Sequence, residues 1–173
     1  MHKIIFDCCC LSNFALSNSL FILKNLYGNS AFVTEFVSAE ILRGIQREHK
    51  NLAKIQDSLR EGWLKEVVLS TKEEKSLYET ISVSLGLGEA SSIAVAKARG
   101  FFFACDDRTA RREAGFLDIK LFGTLGILKK AVRIKIIRLK DGDLILAEMI
   151  AKGFYSSAKK RLGDGGMGRQ GDE

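Results

Sequence analysis

Short apolar runs alternate along this chain with longer segments of helical periodicity, and no other feature restricts the fold as strongly. Each run is long enough for one buried strand, and glycines such as Gly28 and Gly100 stand at the ends of the following segments. Strands that alternate with helices form a parallel sheet with both faces covered. We therefore predict an α/β fold with a central, mostly parallel sheet. The predicted strands are KIIF (3–6), AFV (31–33), FFFAC (101–105) and IKLF (119–122).

Length and composition fit one globular domain. The chain has 173 residues, of which 46% are hydrophobic and 28% charged, so it can bury a core and is not of the disordered class. Residues 164–173 are rich in glycine and have little apolar content, which predicts a flexible tail after a single domain at residues 1–163. The predicted helices lie within residues 13–28, 37–49, 51–62, 72–84, 88–100, 107–116, 123–132 and 142–162.

The sequence shows no segment that would enter a membrane. Its longest uninterrupted apolar run is FFFAC, whereas a membrane span needs about 20 such residues. The N-terminal residues lack a basic region followed by an apolar stretch and a cleavage site. We therefore expect a cytoplasmic protein without a membrane partner.

Three of the four cysteines are adjacent, at Cys8, Cys9 and Cys10, and the fourth is Cys105. There is no CxxC motif. On an extended segment neighbouring side chains point to opposite faces, which suits neither a set of disulfides nor a tetrahedral zinc site. We interpret the cysteines as buried free thiols in a reducing compartment. A cysteine-based metal or redox module is the disfavoured alternative.

The excess positive charge is concentrated in one segment. The net charge is +6, and KKAVRIKIIRLK (129–140) has six basic residues and no acid. A basic stripe can contact the phosphates of a nucleic acid, although a solvated surface or a salt-bridged strand edge explains it equally well. The candidate phosphate contacts are Lys129 and Lys130, together with Arg108 and Arg111, which share one face of a predicted helix.

Acidic residues follow the ends of the predicted strands. Asp7 comes directly after KIIF, and Asp106 and Asp107 come directly after FFFAC. Glu40 lies early in the helix after AFV, and Glu89 lies in the first turn of the helix that leads to FFFAC. Because the carboxyl ends of parallel strands share one edge of the sheet, we expect these side chains to surround one crevice.

Carboxylates in one crevice repel each other unless a proton or a cation neutralises them. Oxygen ligands favour Mg²⁺ or Mn²⁺ over zinc and copper, and such ions activate water for attack at phosphorus. Each acid alone has a simpler interpretation: Asp7 as a helix cap, Glu89 as a partner of the helix dipole, and Glu40 as a surface ion-pair partner. Their shared location favours a metal site. The predicted ligands are Asp7, Glu89, Asp106 and Asp107.

The order of these motifs resembles the PIN domain. The most specific matching pieces are LGLGEASSIAVAKARG (85–100) and DDRTARREAG (106–115) followed by GTLGIL (123–128). The resemblance runs from about residue 3 to residue 162 and is closest to the small prokaryotic proteins that include VapC-type toxins. It implies a three-layer α/β/α sandwich and a Mg²⁺- or Mn²⁺-dependent endoribonuclease that cleaves single-stranded RNA with a metal-activated water.

The resemblance also assigns roles to residues. The four catalytic acids of the family fall on Asp7, Glu40, Glu89 and either Asp106 or Asp107. Of the adjacent pair the first is preferred, because it is nearest to the strand end. A hydroxyl residue that the family often has two positions after its first aspartate is replaced here by Cys9, and the threonine that often precedes its last acids is replaced by Cys105.

Two kinds of protein partner are implied by the resemblance alone: a small antitoxin that docks in or near the crevice, and a second copy of the chain in a homodimer. The alternative function is that of a PIN-like module that binds RNA or protein without catalysis. The presence of all four acids counts against this alternative.

Overall fold

The computed structural model describes residues 2–47 and 50–154. This part of the chain contains one sheet of parallel strands, whose order across the sheet is β3-β2-β1-β4-β5 when they are numbered along the chain. The predicted α/β fold with a central parallel sheet is confirmed. The strands are β1 (Ile4–Phe6), β2 (Ala31–Thr34), β3 (Leu64–Val67), β4 (Phe102–Ala104) and β5 (Leu121–Phe122).

Nine α-helices and one 3₁₀ turn, Lys50–Leu52, surround the sheet within the described residues. Most of them lie in the segments that show helical periodicity. The helices are α1 (Cys8–Leu16), α2 (Leu20–Tyr27), α3 (Glu35–Gln46), α4 (Ala53–Arg60), α5 (Lys72–Ile81), α6 (Leu87–Arg99), α7 (Arg108–Phe116), α8 (Thr124–Arg133) and α9 (Leu139–Ala151).

Side chains of β1 alternate between the two faces of the sheet and so divide the core into two layers. Ile4 and Phe6 pack in a cluster with α1, α2, α3, α8 and α9, whereas Ile5 packs in a second cluster with α6 and α7. All three side chains are fully buried. A strand buried on both faces is apolar at every position, which is why Ile4–Phe6 is a continuous apolar run. The molecule is therefore a three-layer α/β/α sandwich.

Two predicted helices are interrupted. The segment predicted as one helix at 13–28 forms α1 and α2, because Asn18 adopts a left-handed φ of 54° that a right-handed helix cannot contain. The segment predicted as a helix at 51–62 begins with the 3₁₀ turn before α4. By contrast, α6 ends as predicted at Gly100, which has a φ of 67°.

The sequence does not predict β3. This strand lies at one edge of the sheet and pairs only with β2, and its central residues, Lys65 and Glu66, are exposed. Charged side chains on an edge strand discourage pairing with another molecule, but they also remove the apolar pattern by which the inner strands are recognised.

The predicted tail at 164–173 and the domain boundary at 163 lie outside the described residues. In the segment predicted to be helical at 142–162, α9 ends at Ala151, and residues 155–162 also lie outside the described residues. The single-domain organisation stays a prediction. In the part of the chain that the structure covers, every helix is too short or too polar to traverse a lipid bilayer.

Candidate metal centre

The strand order places a crevice beside β1. The chain passes outward from β1 to β2 and β3, then returns to place β4 on the other side of β1. The carboxyl ends of β1 and β4 are thus a topological switch point, where α/β proteins bind their ligands. Asp7 follows β1 directly, and Asp106 follows β4 after Cys105.

Asp7 is a buried carboxylate with few compensating contacts. Its side chain is 1% exposed; Oδ2 accepts a hydrogen bond from the Cys9 amide at 3.3 Å and from the Cys105 thiol at 3.7 Å. The pKa of Asp7 is raised to about 7, first by burial and then by the negative charges of Glu89 and Glu40. Asp7 does cap α1, as the simpler interpretation predicts, but a cap alone needs neither the burial nor the neighbouring acids.

Glu89 lies in the first turn of α6, where its Oε2 accepts a hydrogen bond from the Gly86 amide at 3.2 Å. The pKa of Glu89 is raised, first by burial and then by the charges of Asp107 and Glu40. A carboxylate oxygen of Asp7, one of Glu89 and the Cys105 sulfur all lie within 4.8 Å of one another. The structure thus brings Asp7 and Glu89 together with the Cys105 thiol, which was not among the ligands predicted from the sequence.

The Glu40 carboxylate extends from α3 toward Asp7 and Glu89, because the residue of α6 that faces it is a glycine. Its Oε1 accepts a hydrogen bond from the Gly88 amide at 3.3 Å. A Cβ atom at position 88 would lie 2.8 Å from Glu40 Oε2, closer than such atoms can approach. The missing side chain therefore lets the Glu40 carboxylate lie against the start of α6.

Replacement of Gly88 by alanine tests this close approach. We expect Gly88→Ala to displace the flexible Glu40 carboxylate and to weaken Mn²⁺ binding by at least about tenfold. The free energy of unfolding in chelator should change by no more than about 1 kcal/mol, because alanine is the better helix former. Isothermal titration calorimetry and urea unfolding measure the two effects. Gly126→Ala on α8, where a Cβ meets nothing within 4 Å, is the control, and equal Mn²⁺ affinity in both variants would contradict the prediction.

The adjacent acids after β4 have different surroundings. Asp106 accepts hydrogen bonds from the backbone and side chain of Thr124 at 2.8 and 2.5 Å, and from the Asn13 amide at 3.3 Å. Asp107 caps α7 by accepting from the Ala110 amide at 2.9 Å, and its charge also acts on Glu89. Asp106 is thus held by neutral donors and Asp107 is exposed. The preference for Asp106 as the principal ligand stays a prediction.

The candidate phosphate contacts are spread over two helices. Arg111 Nη1 donates to the Cys105 carbonyl at 2.9 Å, beside the crevice, whereas Arg108 is exposed at the start of α7. Lys129 is exposed, and Lys130 Nζ lies 4.8 Å from the centre of the Tyr27 ring. Both lysines lie about 8 to 9 Å along α8 from its first residue. Phosphate contacts by all four stay predictions, and residues 129–140 form no strand edge.

Several predictions about local structure near the crevice were wrong. Cys8, Cys9 and Cys10 form the first turn of α1 and are not extended, because Asp7 caps that helix. Cys9 is exposed, not buried. The hydroxyl of Thr124, the first residue of α8, donates to Asp106.

Some polar residues of the site were not predicted from the sequence. Asn13 donates to Asp106 and to the Thr124 hydroxyl, and the Thr34 hydroxyl pairs with that of Ser91 at 2.7 Å between the end of β2 and α6. These contacts join distant parts of the chain. A polar residue on the inner side of α1 was the only available indication for Asn13.

The residues present fit a divalent cation. Asp7 and Glu89 both have raised pKa values because they are buried near other acids, so the ionised cluster lacks an opposite charge. No basic side chain forms a salt bridge with Asp7, Glu89 or Glu40 in the part of the chain that the structure covers. A cation with carboxylate ligands would supply the missing charge.

The comparisons with known proteins agree with this geometry. No curated protein matches the chain significantly. A family model described as a PIN domain matches residues 3–161 and so covers nearly the whole chain. The chain belongs to the PIN-domain family, whose members are generally nucleases.

Proposed function

We propose that this chain is a Mg²⁺- or Mn²⁺-dependent endoribonuclease that cleaves single-stranded RNA. One observation carries the proposal: Asp7 is buried beside Glu89 and Glu40 at the switch point of the sheet, without a basic partner among the described residues. Such an arrangement disfavours its own ionised form unless a cation is bound. Family membership makes phosphodiester hydrolysis the chemistry that such a site performs.

Each acid has a role in this proposal. Asp7 and Glu89 would hold the cation, with Glu40 and the adjacent Asp106 and Asp107 completing the negative wall of the crevice. The cation would supply positive charge for the phosphate oxygens and lower the pKa of the attacking water. Thr124 and Asn13 keep the Asp106 carboxylate in one orientation through the hydrogen bonds described above.

The substrate and partners are part of the same proposal. Arg108 and Arg111, next to the crevice, would contact the RNA backbone, and Lys129 would extend this contact along α8. We further propose that the chain is the toxin of a VapBC-type pair in the cytoplasm, restrained by a small antitoxin. A homodimer is also proposed.

The test is RNA cleavage by the purified full chain with Mn²⁺ and a single-stranded RNA. We expect cleavage that chelator abolishes, and a rate lower by on the order of 100-fold or more in Asp7→Asn and Glu89→Gln, because each removes a carboxylate that would hold the cation. Asp57→Asn and Glu61→Gln are matched controls, since these carboxylates form exposed ion pairs on the surface.

The possible results separate the two functional classes. RNA binding without cleavage in the unmodified chain would contradict the nuclease and favour the non-catalytic module. Cleavage that survives both crevice substitutions would show that another site performs the reaction. A neighbouring gene for a small protein that binds the chain and suppresses cleavage would support the toxin assignment.

A further inference from the structure

The sulfur of Cys105 lies among the carboxylates at the centre of the crevice. It is 3.7 Å from Asp7 Oδ2 and within 4.8 Å of a Glu89 oxygen. The side chain is fully buried. Nothing in the proposed nuclease reaction requires a thiol at this position.

The backbone of Cys105 is fixed on both sides, and its fully buried side chain is directed at Asp7. Its amide donates to the Phe122 carbonyl at 2.9 Å, which continues the pairing of β4 with β5. Its carbonyl accepts from Arg111 at 2.9 Å. The thiol is therefore held toward the carboxylates and is not a mobile surface group.

The sulfur and the oxygen, which form an S–H···O hydrogen bond here, are also close enough to bind the same ion. A tetrahedral zinc ion has Zn–S and Zn–O distances of about 2.3 and 2.1 Å, which place its sulfur and oxygen ligands about 3.6 Å apart. The observed 3.7 Å between Cys105 Sγ and Asp7 Oδ2 agrees with this value. Thiolate ligands select zinc and similar soft ions, whereas Mg²⁺ prefers oxygen alone.

We propose that Cys105, Asp7 and Glu89 form a binding site for a thiophilic divalent cation, above all Zn²⁺. This cation competes with Mg²⁺ or Mn²⁺ for the crevice and so inhibits RNA cleavage. The thiol binds as thiolate and releases its proton to solvent. The inference rests on the proposed function, because it assumes that the same crevice takes a cation.

The other cysteines supply controls within the same chain. Cys8 has a contact with the Ser12 hydroxyl at 3.9 Å, and the Cys10 sulfur lies 3.6 Å from the Thr124 hydroxyl oxygen. Cys9 is exposed. Among the residues that the structure describes, only Cys105 belongs to the group of close ligand atoms.

The first test uses Co²⁺ as a spectroscopic substitute for Zn²⁺ in the reduced full chain. We expect a thiolate-to-cobalt charge-transfer band that Zn²⁺ removes. The band should be absent in Cys105→Ser and retained in Cys8→Ser and Cys9→Ser.

Calorimetry should show Zn²⁺ binding at least about tenfold tighter than Mn²⁺ binding in the unmodified chain. In Cys105→Ser the ratio of Zn²⁺ affinity to Mn²⁺ affinity should fall at least about tenfold. The Mn²⁺ affinity itself should be retained, which also shows that the variant is folded.

The experimental outcomes distinguish a failure of this inference from a failure of the proposed function. Co²⁺ binding without a charge-transfer band in the unmodified chain would overturn the sulfur ligand and leave the nuclease proposal intact. A chain that binds none of the three cations would overturn both. RNA cleavage in Mn²⁺ supplies a second readout: low Zn²⁺ should inhibit the unmodified chain, and inhibition of equal strength in Cys105→Thr would contradict the inference.

Discussion

Asp7→Asn is expected to stabilise the metal-free protein at pH 8 while it lowers the rate of RNA cleavage by on the order of 100-fold or more. Burial, and then the negative charges of Glu89 and Glu40, raise the pKa of the Asp7 carboxyl to about 7, so its ionised form is unfavourable in the folded state. Asparagine has the same shape without the charge and can still accept from the Cys9 amide. A shift of about three pKa units corresponds to at most about 4 kcal/mol. Urea unfolding in chelator measures the gain in the free energy of unfolding.

The pH dependence of this gain has a defined sign. The ordinary pKa of the carboxyl is 3.8, and in the folded protein it is about 7, so the folded state favours the protonated form. The destabilisation therefore develops as the pH rises from about 4 and is complete above about 7. We expect the difference between variant and unmodified chain to be largest at pH 8 and to vanish near pH 4.

Addition of Mn²⁺ provides the internal control. The cation should stabilise the unmodified chain at pH 8 by mass action, and it should stabilise Asp7→Asn much less. The exposed Asp57→Asn should show neither the gain in chelator nor the loss of the Mn²⁺ effect. An Asp7→Asn protein that is equally stable or less stable than the unmodified chain at pH 8 would show that the crevice does not disfavour the ionised carboxylate.

The sequence predicts the inner part of the fold because burial imposes a visible pattern. KIIF and FFFAC are apolar at nearly every position, since their strands are covered on both faces. The edge strand β3 has no such requirement and was not predicted. The break at Asn18 was also missed, because the residue that adopts the left-handed conformation there is not a glycine.

The acids of the site were predictable because they belong to strand ends, and strand ends share one edge of the sheet. Asp7, Glu40 and Glu89 lie together as that reasoning requires. The supporting contacts were not predictable from local pattern. Asn13 and Asp106 are 93 positions apart in the chain, and the contact between Cys105 and Asp7 depends on the pairing of β1 with β4.

A second buried carboxylate shows why burial alone does not identify a functional acid. Glu74 is fully buried, but Arg99 donates to both of its oxygens, at 2.6 and 3.2 Å, and the Ser70 and Thr71 amides donate to Oε2. The Arg99 hydrogen bonds are the main reason that the pKa of Glu74 is lowered to about 2. The pKa values of the two buried acids are thus shifted in opposite directions, because Glu74 is hydrogen-bonded to a guanidinium, whereas Asp7 is buried without one and faces other acids. The first arrangement stabilises the fold, and the second is neutralised by a proton or a cation.

Arg99→Met is accordingly expected to destabilise the protein without altering the crevice. It leaves the Glu74 carboxylate buried and bonded only by neutral donors, and the free energy of unfolding at pH 7 should fall by about 3 kcal/mol. Because the pKa of Glu74 is lowered, this contribution is present above its ordinary value of 4.5 and is lost as the pH falls toward about 2. Urea unfolding at pH 7 and pH 3 measures the effect and its decline.

The control variants separate the charge from the packing of the side chain. Arg99→Lys keeps the charge without the paired donors and should be destabilised less, and Arg99→Met combined with Glu74→Gln should recover part of the loss, because no buried charge then remains unpaired. Arg99 is the last residue of α6, and Glu89 lies in its first turn, about 15 Å away along the helix. Mn²⁺ affinity should therefore stay unchanged in all three variants. A fall in Mn²⁺ affinity together with stability would show that α6 transmits the loss to the crevice, and that the two buried carboxylates are not independent.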